Sequence, residues 1–124
     1  MASKPSIEID LSGIEKKFSP EELKAKQAAF AQRVGFDMNK HCPVDEGTLR
    51  DSIMASEYEN GLIIWETPYA KTVLNADTVR TVKNPEARPQ WPEYTKSERL
   101  GEWRKFAANL LDGKAAVRVG ALDD

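Results

Sequence analysis

The chain has 124 residues, 40% hydrophobic and 31% charged, with a net charge of −2 and a pI near 5.5. That length is enough for one domain with a core of its own, and the acidic balance argues against a sequence-independent nucleic-acid binder, which is usually basic. One cysteine, Cys42, leaves no internal disulfide to form. No stretch has the apolar run of a signal peptide or the ~20 apolar residues of a membrane span, so a soluble protein made in the cytoplasm is expected.

In chain order, "SIEIDLSG" alternates Ile7, Ile9 and Leu11 with Glu8 and Asp10, the period-two pattern of a half-buried strand. A helix over 20–41 follows. Ser19 is its cap, Pro20 suits its first position, Glu22 completes a capping box, and Phe18 and Leu23 are spaced for a hydrophobic staple. Leu23, Phe30, Val34 and Met38 share a face interrupted only by Gln27. Pro43 ends the helix at about His41 or Cys42. "DEGTLRDSI" reads as a turn followed by one or two helical turns, with Leu49 and Ile53 four residues apart. Asn60-Gly61, between "IMASEYE" and "LIIWE", predicts a β-hairpin with a two-residue turn. "YAKTVLNA" reads as a short helix. Residues 77–92, with three prolines, read as a long exposed loop with room for a short extended piece at "TVRTV". A second long helix is expected to start at a Thr95–Glu98 capping box, to carry Leu100, Trp103, Ala107, Leu110 and Leu111 on one stripe, and to stop at Gly113. The tail after it is either an edge strand or mobile. The expected fold is α+β: two long helices packed on a small antiparallel sheet, with a β-hairpin and a long loop. We expect a single domain over 1–124, with an N-terminal extension (1–18), a core (19–112) and a C-terminal tail (113–124).

Few residues point to chemistry. His41 and Cys42 are adjacent, so on a helix their side chains diverge by about 100°, and a helix C-terminus disfavours a thiolate. Cys42 is therefore expected to close the helix stripe. Asp45, Glu46 and Gly47 lack the alternating carboxylates of a calcium loop. Asp45 instead suits a cap on the short helix, and Gly47 a tight chain path. Glu57, Glu59 and Glu66 have no cationic or metal-binding companions, and Glu57 and Glu59 point the same way on one strand, as on a solvent face. No catalytic, cofactor or metal site is expected. Arg80, Lys83 and Arg88, close to Trp91 and Tyr94, could grip a nucleic-acid strand. Read structurally, the same residues line a solvated loop held by its aromatics. Trp65, Tyr69, Trp91 and Trp103 are bulk for a core or an interface.

"CPVDEGTLRDSI" (residues 42–53) resembles the "VPVDTG-x-LR-x-SI" signature of small tailed-bacteriophage minor capsid or neck (head–tail connector) proteins. The order of features over residues 20–112 is similar too: long helix, signature, Asn60-Gly61 turn, the Trp65 and Pro68-Tyr69-Ala70 segment, long loop, and a closing helix with Trp103. Glu46 departs from the frequent threonine, and the loop at 77–90 lacks the expected glycines and aromatics. The resemblance implies a non-enzymatic virion protein made in the host cytoplasm. It would form a homo-oligomeric ring in the neck, in contact with other connector and tail proteins and with genomic DNA passing through its lumen. A tail terminator or another tail ring protein is the alternative within the virion, and a small cytosolic binding module the alternative outside it. Within the neck reading, Pro43, Asp45, Gly47, Leu49 and Arg50 are expected to form a structural elbow, with Arg50 paired to a carboxylate. Trp65, Tyr69, Arg80, Lys83, Arg88 and Trp91 are the candidate subunit interface.

Overall fold

A computed structural model describes residues 4–13, 18–44, 47–111 and 114–122. The alternating N-terminal segment forms β1 (Lys4–Gly13), which lies at the centre of a three-stranded antiparallel sheet. β2 (Leu62–Ile64) pairs on one side and β3 (Lys114–Leu122) on the other. Ile7 lies opposite Ile63 and Val119, and Ile9 opposite Val117, so these apolar residues share one face. Arg118 donates to Asp10 on the opposite face. Of the two fates open to the tail, the edge strand is the one observed. The N-terminal strand is the spine of the sheet, and Ile7, Ile9 and Val117 belong to the same buried cluster as the long helices.

Helix α1 (Pro20–Asn39) begins as its capping residues dictate, with the Ser19 hydroxyl accepting from the Glu22 N–H at 3.2 Å. Phe30, Val34 and Met38 are buried on its predicted face. The second long helix, α4 (Trp91–Leu111), starts four residues earlier than expected. The Gln90 carbonyl accepts the first helical bond, from Tyr94 N–H at 3.1 Å, and Pro92 sits where no N–H is required. Thr95 is buried inside the helix and donates its hydroxyl to the Trp91 carbonyl at 2.7 Å. The same side-chain chemistry serves a cap or an i−4 back-bond, and the sequence does not distinguish them. Gly113, the expected stop, lies outside the described residues. The Trp103 indole donates to the buried Asp37 carboxylate at 2.7 Å, which ties α4 to α1, and Phe30 stacks on Phe106 at 6.1 Å.

The predicted hairpin is corrected. Short helix α2 (Thr48–Asp51) runs into a 3-10 turn at Ser52–Ala55, and a second 3-10 turn spans Tyr58–Asn60. The hairpin shrinks to one residue pair, Glu57 with Leu62, although Gly61 does take the left-handed conformation expected of it, with φ 71°. β2 finds its strand partner in β1. Its other edge is met by serines: Ser56 Oγ accepts from Ile64 N–H at 2.8 Å and donates to the Ile64 carbonyl at 3.2 Å. Ser52 Oγ accepts from Glu66 N–H at 3.0 Å. The hydroxyls supply the pairing that a first hairpin strand would have given, leaving residues 48–55 free to coil and to bury Leu49 and Ile53.

Candidate docking site

A helix C-terminus presents carbonyls with no intrahelical partner. At α1 they are met from two distant segments. Arg50 Nε donates to the Asn39 carbonyl at 3.2 Å, and Asn39 Nδ2 returns a bond to the Arg50 carbonyl at 3.2 Å. Asn84 Nδ2 donates to the Lys40 carbonyl at 2.9 Å and to the Cys42 carbonyl at 2.8 Å. The Arg88 N–H donates to the His41 carbonyl at 3.0 Å. Asn39 also accepts from the Trp65 indole at 3.1 Å. The helix end, the stretch after it and residues 84–88 of the long loop are therefore one braced unit.

Between them the chain turns at Gly47, whose φ of 88° is readily taken only by glycine. Leu49 is buried two residues later. Among the described residues Arg50 pairs with a backbone carbonyl. The negative end of a helix dipole is a suitable acceptor for a guanidinium. Asp45 lies outside the described residues.

His41 and Cys42 are each engaged elsewhere. His41 Nδ1 bonds the Glu86 carbonyl at 2.8 Å, and its ring meets Tyr94 edge-on at 5.0 Å. Cys42 is buried, and that burial pushes its thiol up to about 12 despite the opposing pull of the Arg50 charge. A thiol so poorly ionised is a packing group. Among the described residues, no three His, Cys, Asp or Glu side chains gather where they could hold a metal ion, and no helix is long and apolar enough to cross a membrane.

What the braced unit does create is an apolar groove of about 280 Å³. Pro43, Gly47 and Leu49 line one wall. Helix α3 (Ala70–Leu74), as predicted from "YAKTVLNA", supplies Val73, with Tyr69 just ahead of it, and the loop adds Val79 and Arg80. Small-molecule pockets commonly run from ~300 to 1,000 Å³ with several convergent polar groups. This groove falls just below that range, and among the described residues Arg80 is the only charged one in its lining.

The groove brings together two sets of residues that the sequence kept apart, Pro43, Gly47 and Leu49 of the elbow with Tyr69 and Arg80 of the candidate interface. Two other members of the interface set are corrected. Trp65 and Trp91 are fully buried and pack edge-to-face at 5.5 Å, so they fill the core and present no surface to a partner. Arg88 is half-buried and bonds its own loop, donating to the Pro85 and Ala87 carbonyls at 3.2 and 2.8 Å, with its guanidinium on the Tyr94 ring. Lys83 is exposed on the loop, and Val82 beside it is 89% exposed. Of the three cations read as a nucleic-acid grip, Arg80 and Lys83 are exposed and Arg88 is bonded to its own loop. No paired strand forms at 78–82.

Sequence reasoning missed Asn84 and the groove valines. Asn84 carried a signal: Asn-Pro favours a turn, and the Glu86 N–H donates to Asn84 Oδ1 at 3.1 Å, an Asx turn. The valines gave none, because their meeting depends on segments some thirty residues apart.

The site is thus a prepared surface, with no gathered catalytic set among the described residues. A family model described as "minor capsid protein" matches residues 5–110, and the chain belongs to that family. It is a structural protein of the phage virion, which assembles with other virion proteins. The match starts inside β1, so the N-terminal strand belongs to the family region and is not an addition to it. No curated protein and no solved structure matches the chain.

Proposed function

We propose that this protein forms a ring in the neck of the virion, joining the DNA-filled head to the tail. Residues 1–124 act in it as one domain, because β1 and β3 bring Ile7, Ile9 and Val117 into the core shared by α1 and α4. The observation that carries the reading is the apolar groove walled by the elbow, α3 and the loop, with the loop braced onto the end of α1. A ring requires a heterologous contact between unlike patches of neighbouring copies, and a patch held rigid before docking costs less to order on binding. In this reading Pro43, Asp45, Gly47, Leu49 and Arg50 form the elbow that aims the chain out of α1, while Tyr69, Arg80 and Lys83 face the neighbouring subunit. The work is assembly, without catalysis or cofactor, and genomic DNA passes through the lumen between connector and tail proteins above and below.

Quantitative mass spectrometry of intact virions and of DNA-filled heads lacking tails tests the reading. A few copies per particle, kept on tailless heads, are expected. Presence only on isolated tails would favour a tail terminator. Absence from both would refute the neck role and leave a small binding module in the lead.

A further inference from the structure

The Asn60-Gly61 pair, read from the sequence as a hairpin turn, also carries chemistry of its own. Of the asparagines in the chain, at 39, 60, 75, 84 and 109, Asn60 alone is followed by glycine. A glycine nitrogen is the least hindered backbone nucleophile, because no side chain shields it. It can attack the side-chain carbonyl carbon of the asparagine before it. A C–N bond forms there, the bond to the side-chain amide nitrogen breaks, and that nitrogen leaves as ammonia with the proton shed by the glycine amide. Water then opens the cyclic imide at either carbonyl, giving aspartate or isoaspartate.

The fold withholds both reacting groups. Asn60 ends the 3-10 turn Tyr58–Asn60. Ring closure needs its ψ rotated out of the helical range, until the Gly61 nitrogen eclipses the Asn60 Cβ. The Gly61 N–H that has to be shed is donated to the Tyr58 carbonyl at 2.9 Å. Asn60 Nδ2, the leaving nitrogen, donates to Glu57 Oε1 at 3.1 Å. Beyond the turn, the Gly61 carbonyl accepts from the Ile9 N–H of β1 at 2.8 Å. Another residue in place of the glycine would be strained, since φ is 71° and a Cβ there would stand 3.2 Å from the Ile9 carbonyl oxygen. The close approach of β1 thus calls for the residue that makes the pair labile, and the same approach pins it.

We propose that Asn60 is a deamidation site held shut by the fold, and that it reacts only in molecules whose 57–61 turn has come away from β1. The reaction does not reverse, so each modified chain records such an opening. The product places a new carboxylate beside exposed Glu57 and Glu59. Its isoaspartate form also lengthens the main chain by a methylene inside the loop closed by the Glu57–Leu62 bridge, so the turn cannot close as before.

The test is peptide mapping by mass spectrometry of the purified full chain after incubation at mildly alkaline pH, which measures aspartate and isoaspartate at position 60. Folded wild type, wild type in urea and folded Ser56→Ala are compared. Ser56 Oγ holds both backbone groups of Ile64, just beyond the turn, so its loss frees the outgoing strand. Conversion in urea is expected to run at least about tenfold faster than in folded wild type, with Ser56→Ala between the two. Tryptophan fluorescence shows whether the variant is folded, and the comparison of wild type with and without urea stands without it. Equal rates in folded and unfolded wild type would overturn the guard. No conversion in urea would overturn the site itself. A folded Ser56→Ala that converts no faster than wild type would overturn opening of the turn as the route.

Discussion

Replacing Asn84 measures how firmly the long loop is braced. Its side chain makes three bonds: two donated to the Lys40 and Cys42 carbonyls and one accepted from the Glu86 N–H. The bond to Cys42 is fully buried, and the other two are partly so. Asn84→Ala leaves the Cys42 carbonyl without a partner, at a cost of about 1–3 kcal/mol. The two partly buried bonds add about 0.5–1.5 kcal/mol each, less whatever water recovers. A loss near 3 kcal/mol is expected, a large fraction of the ~5–15 kcal/mol that holds a domain folded. Asn84→Asp is nearly isosteric but loses both donors and sets a carboxylate against the negative end of α1, so it is expected to cost more than alanine. Urea unfolding followed by the fluorescence of the three buried tryptophans gives the stabilities. Hydrogen exchange at the Arg88 amide, bonded to the His41 carbonyl, reports the brace directly. Wild type is expected to be most stable and Asp least. A loss under about 1 kcal/mol in Ala, or an Asp variant equal to wild type, would refute the brace and with it the rigid groove wall.

Two further outcomes follow from the same geometry. Ser56→Ala removes both partners of the Ile64 backbone on the outer edge of β2. It is expected to cost about 2 kcal/mol and to speed exchange of the Ile64 amide; unchanged exchange there would show that the hydroxyl does not replace a strand. Cys42 sets an alkaline limit. Its thiol titrates at about 12 when folded and at about 8.5 when unfolded. Below the lower value both states hold the proton and pH has no effect through this group. Between the two values only the unfolded state ionises, so stability falls as pH rises, by up to about 1.4 kcal/mol per pH unit. Cys42→Ala is expected to be less stable at pH 8 but to lose stability less steeply towards pH 10.5 in urea titrations. An identical slope would show that the thiol is not the group responsible.

By itself, the sequence determined whatever depends on near neighbours. Alternation around Ile7 and Ile9 specified a strand, Ser19-Pro20 started α1, and the spacing of Trp103, Ala107 and Leu111 specified which side of α4 is buried. The "PVDEGTLRDS" stretch pointed to the family. Cap and stripe act within one or two helical turns, so these features are written locally. Tertiary structure decided which strand pairs with which, because β1 and β3 are brought together from opposite ends of the chain, and β2 pairs with β1 while Ser52 and Ser56 take the edge that the Asn60-Gly61 hairpin would have used. Long-range packing likewise decided that Trp65 and Trp91 are core, and that Arg88 and Asn84 serve the end of α1. The groove is the clearest case. Its walls come from residues 43–44, 47–49, 69–76 and 78–80, and no local pattern records that they meet. It forms where carbonyls at the end of α1 are met both by Arg50 and by the distant loop, which brings the two segments onto the same helix end.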